Sequence, residues 1–185
     1  PLTATLVRKM IEAGMIILGK THTVEFAMGS FGTNQHMGSP RNPWDLNEHR
    51  ATGGSSAGTA ASVAGGLAPW GIGTDTGWSV RIPSAWCGLT GLKTSVGRIS
   101  THGVLPLSHT LDTPGPMCRS VEDAAILYRI LAGPDEQDSR TLIHPFEDPF
   151  SELKKGISGF KLARVPDSEL ENVDSENLEA YENSL

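Results

Sequence analysis

An α/β fold is predicted by three observations. An amphipathic helical pattern over residues 4–13 runs straight into an apolar pentapeptide, "MIILG" (15–19), whose flanks turn polar at once. A small-residue helical segment at 56–68 leads into a second strand-like stretch at 68–73. A capped helix over 120–133 repeats its apolar positions with helical period. Helices that alternate with short apolar strands bury their faces by layering on a sheet.

In the first helix Thr3 is placed to cap, Leu6, Val7, Met10 and Ile11 share one face, and Gly14 stops the pattern. The apolar pentapeptide then reads as a buried strand. Residues 29–54 lack periodicity and carry Gly, Pro, Asn and Ser, the composition of a long functional loop. The next helix, ending near Gly65-Gly66, has side chains small enough for close packing, so it should be central. "APWGIG" (68–73) reads as a strand running into a turn that holds Ser79. Ser120 caps the following helix with Asp123 three residues on, Ala124, Leu127, Tyr128 and Leu131 form its stripe, and Gly133 ends it. Residues 134–156 are polar and Pro-bearing, a surface excursion; 159–167 reads as a strand, and a last helix begins near Asp174. There is no internal repeat. The chain opens on Pro1 rather than Met and its last helix reaches Leu185. We read it as an internal piece of a longer protein, one incomplete domain with its core at about 4–133.

With 15 basic and 21 acidic residues the formal charge is −6, and no basic run exists, which argues against a nucleic-acid module. No apolar segment approaches the roughly 20 residues that span a bilayer. Cys87 and Cys118 read as reduced, buried thiols of a cytoplasmic protein. The histidines show no H-x-x-x-H or H-x-H spacing, so no metal site is expected.

Two motifs invite misreading. "GMIILGKT", Gly14 to Thr21, matches the phosphate-binding P-loop pattern. A P-loop needs a strand before its first Gly and a helix after its Lys, and here the order is reversed. Lys20 is then a strand-end residue. "GSSAG", Gly54 to Gly58, matches the nucleophile elbow of α/β-hydrolases, with Ser56 at its centre. His102, His109 and His144 follow, with Asp112 as an orienter, but "LNEHRATG" upstream is no buried strand.

Taken together the serines make better sense. Ser55 and Ser56 sit in a Gly-bounded turn opening a helix, and Ser79 sits in a second Gly-rich turn after one helix and one strand. Such an excursion can set the two turns side by side. Successive amides at Thr76, Gly77, Trp78 and Ser79 form a nest suited to a developing oxyanion.

"GGSSAGTAASVAGGLAPWGIGTDTGWSVRIPSAWCGLTGLK" (53–93) resembles the signature region of the amidase signature family of Ser-Ser-Lys hydrolases. "ILGKTHTVEFAMGSFGTNQHMGSPRNPWD" and "GRISTHGVLPLSHTLDTPGPMCRSVEDAAILYRILAG" resemble it too, so the likeness runs from about residue 4 to 167. The resemblance implies a mixed twisted sheet flanked by helices, here partial. It makes Ser79 the acyl-forming nucleophile and Ser55, in a cis peptide, the serine that relays its proton. It assigns Thr76, Gly77, Trp78 and Ser79 to the oxyanion hole and Ala27 to the substrate border. Ser56, Asp75 and Arg81 become supports of that loop. The family's lysine base stands on a strand before "GKT", outside this chain; Lys20 and Lys93 occupy other family positions. No metal or cofactor is implied. The substrate class is a small-molecule amide, without direct contact to nucleic acid or membrane. The partners it implies are a second copy of the protein or the other subunits of a tRNA-dependent amidotransferase, whose glutaminase component is the alternative reading. A catalytically inactive member kept for binding or assembly is a third.

The chain departs from the family at Trp78, where Gly is usual, at His22, where Asn is usual, and after "GLK", where Pro is usual. A Trp at a position requiring φ > 0 would be strained. Backbone donors survive side-chain bulk, so an altered substrate preference is expected rather than loss of function.

Overall fold

The computed structural model describes residues 2–185. Two compact units are present, one ending at Leu153 and the other spanning Lys154–Leu185.

In the first unit, helices cover both faces of a small antiparallel sheet. The elements follow in the order α1 (Thr5–Glu12), α2 (Ala57–Ala64), β1 (Trp70–Asp75), α3 (Arg81–Trp86), β2 (Thr90–Gly91), β3 (Thr113–Cys118) and α4 (Val121–Leu131). The sheet order is β1-β3-β2, with Asp75 opposite Thr113 and Trp70 opposite Cys118. Successive residues of a strand face opposite sides, and β3 uses this directly. Cys118 packs with Leu6, Met10, Leu127 and Leu131 of α1 and α4, while Met117 packs with Ala60 of α2, Val80 and Cys87. The result is the α/β layering expected.

α4 forms where its signals stand. The Ser120 hydroxyl accepts from the Asp123 amide at 3.0 Å and donates to the Asp123 carboxylate at 2.8 Å. Ala124, Leu127 and Leu131 are buried, and Gly133 follows the Ala132 cap at φ 104°. Lys9 adds a tie from α1, donating from Nζ to the carbonyls of Leu131 and Ala132 at the end of α4.

Several expectations are corrected. Ala4, not Thr3, holds the cap position of α1, with no side-chain bond, and Ile11 is exposed. Residues 15–19 form no strand: Ile16 and Leu18 are exposed, and no described strand pairs with them. Lys20 is accordingly no strand-end residue. Residues 159–167 likewise lie outside any strand. A strand exists only through a partner's ladder, and apolar content alone supplies none.

α3, β2 and β3 carry no sequence signal strong enough to predict them. β3 is the middle strand although it reads "TPGPMC". Its prolines are tolerated because they face away from β1. The Pro116 carbonyl accepts from the Leu92 amide, so Pro116 and, two residues earlier, Pro114 turn toward the β2 side. Thr113, Gly115 and Met117 then carry the ladder to β1.

Residues 134–153 belong to the first unit and contain the buried residues Asp135, Asp138 and Thr141. The second unit centres on α5 (Ser175–Asn183), which begins next to Asp174 as expected and is capped by that residue's side chain. Arg164 pairs there with Asp167 and Glu182.

Candidate active site

The turn before α2 is built by glycines because backbone lies against it on two sides. A Cβ on Gly53, which sits at φ 75°, would meet Pro83 Cα at 2.8 Å, and one on Gly54 would meet the Gly29 carbonyl at 2.6 Å. The Gly54–Ser55 peptide is cis. Ser55 is fully buried, and its carbonyl accepts from the Val24 and Ala57 amides and from the Thr23 hydroxyl at 2.8–3.1 Å. Its hydroxyl has no partner among the described residues.

The second turn leaves β1 and enters α3. Its link to the first is direct: the Ser56 amide donates to the Ser79 carbonyl at 3.4 Å. The Ser56 hydroxyl is engaged by Thr74, accepting from its amide at 3.2 Å and donating to its carbonyl at 3.4 Å. Ser79 is buried at 7% exposure. Among the described residues, the amides of Gly77, Trp78 and Ser79 donate to no acceptor. The Trp78 carbonyl accepts from Ile82, which fixes the far side of the turn. Trp78 is not among the residues with positive φ, so its side chain costs no backbone strain, and its indole is half exposed.

A buried carboxylate braces this turn. Asp75 is fully buried and accepts from the Val80 and Arg81 amides and, through both oxygens, from the Arg81 guanidinium at 3.0–3.3 Å. Burial alone would raise its pKa; the Arg81 and amide bonds outweigh burial and hold it below the ordinary carboxylate value. Arg81 also donates to the Gly77 carbonyl. Ala27 adopts φ 57° beside Phe26 at φ 52°, in the segment whose Val24 amide reaches Ser55.

The structure thus gathers Ser55, Ser56, Asp75, Ser79 and Arg81 at two touching turns. Neither decoy motif has its required setting: residues 16–19 are exposed coil, Met15 only partly buried, and among the described residues no strand precedes Gly54. Asp112, considered as an orienter of a histidine, instead accepts from the Thr76 hydroxyl and from the amides of Leu107 and Ser108. Lys93 Nζ donates to the Thr94 carbonyl, and Lys20 is exposed. Sequence reasoning did not single out Thr23 or Thr74. Their only local signal is a hydroxyl close to a Gly-rich turn. Among the described residues no group of His, Cys, Asp and Glu is disposed to hold a metal ion, and no helix is long and apolar enough to cross a membrane.

Residues 1–185 match the family model described as Amidase, and the chain belongs to the amidase family. It is 46% identical over 181 residues to the glutamyl-tRNA(Gln) amidotransferase A subunit of Dechloromonas aromatica, covering 97% of this chain and 37% of that protein. The corresponding protein of Coxiella burnetii is 43% identical over 182 residues, covering 98% and 37%. The crystal structure of the glutamyl-tRNA(Gln) amidotransferase A subunit from Thermotoga maritima superposes with a TM-score of 0.80 at 43% identity, over 85% of this chain and 34% of that one. The peptide amidase of Stenotrophomonas maltophilia superposes at 0.74 with 41% identity, over 80% and 31%. The fold is therefore a part of the amidase signature fold, and the chain spans about 37% of the length of these two curated relatives.

Proposed function

We propose that this chain carries the nucleophile and the oxyanion site of a serine amidohydrolase that cleaves a carboxamide C–N bond. Ser79 Oγ attacks the carbonyl carbon while Ser55 takes its proton and passes its own to a lysine outside the residues of this chain. The amides of the Thr76–Ser79 turn hold the oxyanion. The amine leaves with a proton, and water hydrolyses the resulting ester. Ser56, Asp75 and Arg81 support the turn, and Ala27 lies at the substrate border. The reading needs no metal or cofactor, and we place the protein in the cytoplasm.

One observation carries it. A buried, unpartnered Ser55 hydroxyl stands in a turn bonded to the Ser79 turn, whose amides have no internal acceptor among the described residues. A buried polar group without a partner calls for a functional explanation. The test is amide turnover by the full-length protein and by its Ser79→Ala variant. Unchanged turnover in the variant would end this assignment.

A second reading, the glutaminase component of an amidotransferase, is favoured by the identity to amidotransferase A subunits, 46% in one case. It requires partner subunits, whereas the first reading works alone or as a homodimer. Glutamine hydrolysis that appears only with partner subunits supports the second. An inactive assembly component is the least supported reading, because Trp78 leaves the neighbouring amides free and its backbone unstrained.

A further inference from the structure

We propose that Asp112 is a positioning residue for the oxyanion turn, fixing Thr76 and the 104–111 loop in a single arrangement. This role rests on the amidohydrolase reading.

The placement follows from the sheet. Asp75 and Thr113 are the last paired residues of β1 and β3. Thr76 follows Asp75 and Asp112 precedes Thr113, just past the end of the ladder, where paired backbone bonds no longer hold the strands together. The Asp112 carboxylate takes over that task. It is buried at 7% exposure; Oδ1 accepts from the Thr76 hydroxyl, and Oδ2 accepts from the Leu107 amide at 2.8 Å and the Ser108 amide at 3.0 Å. The Asp112 amide returns a bond to the Ser108 carbonyl at 3.0 Å. Three donors converge on one carboxylate, the arrangement an acceptor-only side chain suits. On the other side of the loop, Arg140 donates to the His109 carbonyl at 2.6 Å and is itself paired with Asp138.

The consequence lies one residue further on. Gly77 follows Thr76, and a Cβ placed on it would meet nothing within 4 Å, so packing does not restrain the turn at that point. Downstream the turn is fixed by Arg81 on the Gly77 carbonyl, by Ile82 on the Trp78 carbonyl and by Val80 on Asp75. Upstream, among the described residues, its side-chain anchor beyond β1 is the Thr76 hydroxyl on Asp112. Releasing that anchor leaves the turn held from its downstream side alone, so the Thr76–Gly77 peptide can tilt and misaim the amides that must meet the oxyanion, an error felt in the transition state and not in substrate binding.

The experiment compares Asp112→Asn, Thr76→Val, their combination and Thr76→Ser in the full-length enzyme, with rates expressed per serine titrated by an acylating reagent. Asp112→Asn and Thr76→Val are each expected to lower kcat about 10- to 100-fold with KM within about threefold, the double variant falling no further than the worse single one. Thr76→Ser recovers most of the loss. Unchanged kcat per titrated serine, with only yield or melting temperature reduced, overturns the proposal. A second readout needs no turnover: hydrogen exchange across 104–111 should quicken in Thr76→Val, whose substitution lies on the other strand. Unaltered exchange there refutes the link. If the wild-type protein neither turns over amides nor acylates at Ser79, the amidohydrolase reading falls, and exchange alone still decides whether Asp112 joins the two segments.

Discussion

The Ser56 amide donates to the Ser79 carbonyl at 3.4 Å, and this bond brings the two serine turns into register. Ser56 lies one residue after Ser55, so the same short segment supplies a link to the Ser79 turn and, from its neighbour, a buried hydroxyl without a partner among the described residues. The site is therefore a junction of two backbone turns, each held by its own contacts.

The relay role proposed for Ser55 gives a first expectation. Ser55→Ala in the full-length protein should lower the acylation rate by about 10²–10⁴-fold, the range of a positioned proton-transfer group. Stopped-flow acylation with an activated ester measures it. A loss below threefold would remove Ser55 from the relay.

Arg81 and Asp75 respond unequally to mutation. Arg81→Ala leaves a fully buried carboxylate with two amide donors and no cation, whereas the Arg81 side chain is half exposed and can hydrate. Removing one partner of a buried pair costs about 3–5 kcal/mol, less where the pair reaches solvent, so a loss of about 2 kcal/mol is expected. Urea denaturation checks it, and turnover should fall as the Gly77 carbonyl loses its donor.

Glycine contacts rank further variants. A Cβ on Gly115 would stand 2.1 Å from the Leu92 carbonyl, which is backbone and cannot step aside, while one on Gly19 meets nothing within 4 Å. Gly115→Ala should destabilise by at least about 1–3 kcal/mol and Gly19→Ala by less than about 0.5 kcal/mol. Thermal denaturation of both variants tests the ranking.

Trp78 should act on specificity. Its indole is half exposed next to Ser79, and replacement by Gly leaves the amide donors in place. Trp78→Gly is expected to raise kcat/KM for amides with bulky acyl groups about 10-fold or more relative to small ones, the scale of apolar pocket discrimination. Equal effects on both substrates would separate the indole from the substrate pocket.

Acid sensitivity follows from Asp138. Burial alone would raise its pKa, but donors from Arg140 and Thr101 outweigh burial and lower it from 3.8 to about 2. A carboxyl depressed on folding contributes stability above its unfolded pKa and loses that contribution as pH falls toward the folded one. Between about pH 4 and 2 the wild-type protein should therefore lose about 2 kcal/mol that Asp138→Asn never had. Denaturation midpoints across that range decide it.

What the sequence revealed depends on how local each cause is. α4 is legible because its signals, Ser120, Asp123 and Gly133, lie within the helix or within two residues of its ends. The two serine turns are legible because Gly-bounded turns announce backbone that approaches something closely, whereas Asp75 and Arg81 are reached only through the family resemblance. β3 is hidden because its prolines are read as strand breakers, and only the pairing side, which the fold decides, makes them harmless. α3 is six residues long with Pro83 in its first turn, too short for a period to show. The 15–19 run shows the reverse error, apolar content without a partner. Asp112 needed the register of β1 on β3 before its carboxylate could be related to Thr76.

The prolines of β3 also discriminate between alignments. A slip of one residue along β1 would turn Pro114 and Pro116 toward that strand and delete their ladder donors, besides exchanging Met117 and Cys118 between the two cores. Mispaired sheets are thus penalised twice, through backbone and through packing. The residues that look most hostile to a strand act as its proofreaders, and the alignment they enforce is the one that brings Thr76 opposite Asp112.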